Sequence, residues 1–196
     1  AIIMAAGKGT RMHPITETIP KPLIRVHSKR MIDTIIDALH ENGIYEIYVV
    51  VGYLKEAFKN LPDEVKGLTL IENPYFDTCN NISSLYVAKD YISNAIIIDG
   101  DQIVTDSTIL SPEFENSGYN CVWQENDSKE WMLTLNAQYK VLSCSRTGGN
   151  HAWQLYGISR WTKEDGIKLK ELLELEFIEK KNTQIYWDDI AMFKHF

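Results

Sequence analysis

Chemistry first becomes possible in a short turn near the start of the chain, Gly7-Lys8-Gly9-Thr10-Arg11, with Lys21 following inside Pro20-Lys21-Pro22-Leu23. Glycine leaves no Cβ between main chain and ligand and adopts backbone angles closed to other residues. Successive N–H groups in such a turn converge on one point and form an anion nest. Arg11 adds a planar fork of donors suited to phosphate, and Lys21 a compact positive charge. Ala5 and Ala6 lead into the turn, so residues 5–11 with Lys21 suit a nucleoside triphosphate. The turn is not a P-loop, because G-x-x-x-x-G-K-[ST] is absent. Nor is it the dinucleotide fingerprint, because Met12 stands where the third glycine would be.

Acids gather at two later places. Ile98-Asp99-Gly100-Asp101-Gln102 closes an apolar run with two aspartates. Side chains alternate along a strand, so Asp99 and Asp101 point the same way and either can reach a common site. Mg²⁺ is commonly held by one or two carboxylates together with substrate phosphates. Tyr186-Trp187-Asp188-Asp189 is the second place. Such a pair also suits a helix N-cap and its dipole-complementing neighbour.

The elements that must position these groups follow from periodicity. Ala1 to Ala6 is continuous rather than alternating, which predicts a buried strand. Arg30 to Asn42 carries Met31, Ile32, Ile35, Ile36 and Leu39 on one face and predicts a helix stopped at Gly43. Strands over 44–51, 68–72 and 95–99 and helices over 54–60 and 83–92 complete a βαβαβαβ pattern. This is a mainly parallel sheet with right-handed crossovers and helices on both faces. Ligands of such sheets bind beyond the carboxyl ends of the strands. The second half reads as strands over 118–123, 131–135, 139–144 and 153–159, then a helix opening at Thr162-Lys-Glu-Asp165. The whole of 1–196 is expected to form one α/β domain, with a change of character between 1–117 and 118–196; if the first loop binds a nucleotide, 1–117 is its half.

The net charge of −7 over 196 residues argues against nucleic acid as the main partner. Residues 1–30 nevertheless hold six basic side chains against Glu17 alone, which suits small anions. Three widely spaced cysteines suggest neither a disulfide framework nor a zinc site, and histidines 13, 27, 40, 151 and 195 show no metal-ligand spacing. A cytoplasmic setting without membrane insertion is expected. The chain opens inside a strand without Met, so residues before Ala1 and after Phe196 are expected, with room for a fused kinase or aminotransferase domain.

The glycine turn with Thr10-Arg11 and then Pro20-Lys21-Pro22 resembles the A-A-G-x-G-[ST]-R…P-K-[PA]-[LM] signature of sugar-phosphate nucleotidyltransferases. Asn73-Pro74-Tyr75, Asn80-Asn81-Ile82-Ser83-Ser84-Leu85, Glu130-Trp131, Trp153-Gln-Leu-Tyr156-Gly157 and Tyr186-Trp187-Asp188 resemble, in order, the bacterial CTP:phosphocholine cytidylyltransferases. The resemblance implies a Rossmann-like, GT-A-like nucleotidyltransferase fold with a small β-rich acceptor part, mainly 118–196. It also implies that the first loop, Gly52, Asn80, Ser83 and Asp99 surround the nucleotide. Gly100-Asp101-Gln102 aligns with the G-D-N whose Asp binds Mg²⁺, Gln102 being a departure. A late carboxylate, Asp188 in preference to Asp189, is implied as its second ligand. Trp131, Trp153, Tyr156 and Tyr186 are expected around the acceptor's headgroup, with Glu125 available to balance a cation. A quaternary ammonium offers no hydrogen-bond donor and is recognised by aromatic faces at about 0.5–2 kcal/mol each. All five tryptophans lie in the second half.

The implied reaction is Mg²⁺-dependent transfer of a cytidylyl group from CTP to phosphocholine, giving CDP-choline and pyrophosphate, with Arg11, Lys21, Asp101 and Asp188 carrying it. Other readings remain beside it. They are a sister cytidylyltransferase for 2-aminoethylphosphonate or phosphoethanolamine, a sugar-1-phosphate nucleotidyltransferase, and a nucleotide-binding module without turnover.

Overall fold

The computed structural model describes residues 1–194; His195 lies outside the described residues. The first apolar run becomes β1 (Ile2–Ala5), with Ile2 and Ile3 fully buried on opposite faces. A small hairpin, β2 (Arg25–Val26) and β3 (Lys29–Arg30), which the periodicity does not reveal, leads into α1 (Met31–Glu41). The Asp33 carboxylate accepts the Arg30 main-chain N–H at 3.2 Å and so starts α1. Then come β4 (Ile47–Val51), α2 (Leu61–Glu64), β5 (Leu68–Glu72), α3 (Ile82–Val87) and β6 (Ala95–Asp99). The second half holds β7 (Gly118–Gln124), β8 (Met132–Leu135), β9 (Val141–Ser145), β10 (Ala152–Trp161) and α4 (Lys163–Glu174). Thr162 caps α4 by accepting the Asp165 N–H at 3.2 Å.

One sheet runs β5-β4-β1-β6-β10-β8-β9, with β7 also on β10. Strands β5, β4, β1 and β6 are parallel, whereas β10 is antiparallel to β6, β7 and β8. The sheet is mixed, as expected, with a parallel core of β5, β4, β1 and β6; the strands beyond β6 pair antiparallel, so parallel pairing is confined to that core. Alternation along β1 sends Ile3 and Ala5 into the core beneath α1, and Ile2 into the core beneath α3 and α4. Trp161 and Trp187 belong to the second core.

Two helices differ from expectation. Residues 54–60 form a tight turn at Lys55–Phe58, and the helix starts at Leu61, where Pro62 sits in the first turn and needs no donor. The helix over 83–92 ends at Val87, and a tight turn at Lys89–Tyr91 keeps both Ala88 and Ile92 fully buried. No described helix is long and apolar enough to cross a membrane.

Candidate active site

Beyond the carboxyl ends of β1 and β6 lies a cleft of two adjoining lobes, about 480 and 980 Å³. Arg11, Lys21, Asn81, Asp99, Asp101 and Tyr186 border both.

The smaller lobe is lined by the glycine turn. Gly9 has φ of 62°, and a Cβ there would meet Thr16 Cγ2 at 3.1 Å. Thr16 is fully buried, and its hydroxyl donates to the Gly9 carbonyl at 2.9 Å, so this one side chain fixes the turn from below. Nothing in the sequence pattern singles Thr16 out. Ala5, Ala6, Gly7, Thr10, Arg11, Asn80 and Ser83 line the lobe as well. Two expected residues do not. Lys8 pairs with Asp77 outside the lining, and Gly52 lies behind the wall, where it packs against Phe76 and Ala6. The segment 80–84 is held from beneath by buried Asn73, whose Nδ2 donates to Ser83 Oγ and Ser84 Oγ at 3.0 Å each.

The acids meet where the lobes join. Lys21 Nζ is ion-paired with Asp101. Asp99 is pushed up to about 8, chiefly because the cleft wall desolvates it and then because Asp188 and Asp101 stand near; Lys21 opposes this. Desolvation likewise pushes Asp188 up to about 7, which hydrogen bonds moderate, that of the Asn81 side chain among them. Asn81 Oδ1 also accepts the Trp187 N–H at 2.9 Å and so ties Asp188 to the segment 80–84. The buried Tyr119 hydroxyl stands beside Asp188 and is the foremost of the groups that moderate it, though slightly beyond ordinary hydrogen-bonding geometry. Asp189 is turned away into the protein, 1% exposed, accepting from the Tyr186 N–H at 2.9 Å and paired with Arg146.

Among the described residues no three His, Cys, Asp or Glu side chains gather as a closed metal site. The donor set here is hard carboxylate oxygen with overlapping negative fields beside the lobe lined by the glycine turn. That fits Mg²⁺ completed by substrate phosphates.

The larger lobe is lined by Trp131, Tyr186, Tyr156, Glu130, Gln154 and Lys129, together with Asp188 and Arg146. Trp131 and Tyr186 meet edge to face, 5.4 Å between centroids. Trp153 and Glu125 do not line it. Trp153 is paired in register with Trp123 and Leu133, and its ring packs edge to face against Trp123 and Tyr139. Glu125 is exposed just past the end of β7. Arg146, which no motif marked, lies over the Trp131 ring at 5.3 Å.

A family-wide profile described as nucleotidyl transferase matches residues 1–111. The chain is 36% identical over 193 residues to the 2-aminoethylphosphonate cytidylyltransferase of Lancefieldella rimae, covering 97% of this chain and 78% of the relative. It is 34% identical over 194 residues to the choline-phosphate cytidylyltransferase of Streptococcus pneumoniae, covering 97% and 82%. The solved structure of the CTP:phosphocholine cytidylyltransferase from Streptococcus pneumoniae superposes with a TM-score of 0.90 at 33% identity, covering 97% of this chain and 82% of that one.

Proposed function

Because the chain belongs to the nucleotidyl transferase family, with cytidylyltransferases among its near relatives, we propose that it transfers a cytidylyl group from CTP to phosphocholine. The observation that carries this reading is the shared border of the two lobes: Arg11, Lys21, Asp99 and Asp101 stand between the glycine turn and the aromatic wall. A triphosphate on the turn and a phosphate-bearing acceptor against Trp131 would meet there.

An ionised phosphate oxygen of the acceptor attacks the α-phosphorus of CTP in line, the bond to the β-phosphate oxygen breaks, and pyrophosphate leaves. The nucleophile already carries its charge at neutral pH, so no general base is needed. Catalysis then rests on positioning and on neutralising charge at the α-phosphate. Main-chain N–H groups of residues 7–11 bind the triphosphate, and Arg11 and Lys21 offset its charge. Asp101 and Asp188 would hold Mg²⁺, which when bound neutralises further phosphate charge.

A second reading, 2-aminoethylphosphonate as acceptor, is favoured by Glu130 and Gln154 in the larger lobe, which offer hydrogen-bond acceptors to a primary ammonium. Pyrophosphate release with CTP and Mg²⁺ decides between them, with phosphocholine, phosphoethanolamine, 2-aminoethylphosphonate and glucose-1-phosphate compared side by side. Turnover with phosphocholine above the others supports the first reading, and preference for a primary amine supports the second. Release with glucose-1-phosphate alone, or with none of the four, overturns both.

A further inference from the structure

The headgroup position proposed above already holds a cation supplied by the chain itself. The Arg146 guanidinium carbon lies 5.3 Å from the Trp131 centroid and 4.4 Å from that of Phe193, and Arg146 is ion-paired with Asp189. Aromatic faces with a carboxylate beside them are what a substituted ammonium requires. Arg146 lines the lobe and occupies the Trp131 ring that the headgroup would use, with Phe193 and the buried Asp189 holding it from behind. Its side chain is 45% exposed, and it sits on the turn between β9 and β10, next to Gly148-Gly149, so a path to solvent is open to it.

We propose that Arg146 is a resident cation which the acceptor's ammonium group must displace, so that Arg146 sets the affinity of the acceptor lobe. The inference rests on the reading of that lobe as a headgroup site. Its content is different: the competitor for the headgroup is built into the protein. An acceptor with a neutral or anionic tail has nothing to exchange for the guanidinium and is refused. An ammonium recovers the contact with the Trp131 ring when Arg146 swings out towards solvent.

Removing the guanidinium should therefore tighten cation binding. The test titrates tetramethylammonium into the full chain and into Arg146→Gln, following tryptophan fluorescence, and measures the acceptor's KM alongside. Displacement predicts that Arg146→Gln binds tetramethylammonium about ten-fold more tightly, the size of one or two aromatic–cation contacts, with acceptor KM falling in parallel. Arg146→Gln leaves Asp189 without its guanidinium, so thermal unfolding is recorded too, and tetramethylammonium should raise Tm more in the variant than in the parent. Should Arg146→Gln not fold, Arg146→Lys keeps a charge beside Asp189 but cannot lie flat on two rings, and a smaller gain in the same direction is expected. Unchanged or weaker tetramethylammonium binding in the folded variant overturns the proposal. So does a raised acceptor KM, which would put Arg146 on the acceptor's anionic end. If no acceptor supports pyrophosphate release, the proposed function fails, yet the tetramethylammonium titration still decides this inference.

Discussion

Gly157 and Asp99 are packed so closely that a Cβ on Gly157 would fall 2.0 Å from Asp99 Oδ2 and 2.7 Å from Asp99 Cβ. Antiparallel pairing of β10 with β6, Ile158 opposite Ile98, brings the main chain of one strand against the carboxylate that ends the other. Any side chain at 157 must move the acid or the strand. Gly157→Ala is expected to lower turnover at least about ten-fold and to cost the fold about 1–3 kcal/mol through overpacking. Steady-state rates and a denaturant titration of the variant check both, and wild-type activity would contradict the packing argument.

The raised Asp99 and Asp188 fix a pH dependence of stability. Both titrate in the folded chain well above the 3.8 of a free aspartate, so the folded state holds protons that the unfolded state has released. Their contribution to stability is complete below about pH 4 and is lost as pH rises through about 7 and about 8. In the presence of a chelator, Tm should fall between pH 5 and pH 8.5. Asp99→Asn should flatten that fall, and an unaltered slope would argue against it.

Lys21 and Asp101 form one ion pair at the junction of the lobes, with side chains 26% and 31% exposed. Neither is core, so Lys21→Ala and Asp101→Ala should each fold normally while losing turnover by about a hundred-fold or more. Circular dichroism beside a pyrophosphate assay makes the check. Appreciable activity in either variant removes that residue from the mechanism.

Asn81 is expected to act through Asp188. Its side chain accepts the Trp187 N–H, one residue before Asp188, and stands near enough to the Asp188 carboxyl to lower its pKa. Asn81→Ala should weaken the apparent affinity for Mg²⁺ and lower kcat about ten-fold, with less effect on the KM for CTP. Mg²⁺ titrations at saturating CTP give the answer, and an unchanged Mg²⁺ dependence would leave Asn81 a purely structural residue.

How much could be read beforehand varies by element, and the reasons are physical. Strand β1 and its turn are local: an unbroken apolar run and two glycines carry their own signal within a dozen residues. Helix α1 is equally local, its buried face recurring with helical period. Thr16, Asn73 and Asn81 are single polar residues whose role exists only through tertiary contact; Asn81 and Trp187 are 106 residues apart in sequence. Tryptophan misled by type. Trp161 and Trp187 fill the core, Trp123 and Trp153 pack together away from the cleft, and Trp131 alone of the five lines it. Which way a ring points depends on strand register, and the register of β10 is set by β7 and β8, not by its own residues.

Strand β10 is a seam. Its first residues lie between β7 and β8, and its last between β7 and β6. This gives the protein a divisible heredity. Within the sheet the antiparallel wing reaches the parallel half only through β10, so insertions on the far side of the wing, around β8 and β9, leave the pairing of β5, β4, β1 and β6 untouched. New cargo would then be acquired by retailoring the wing, with the activation chemistry inherited intact.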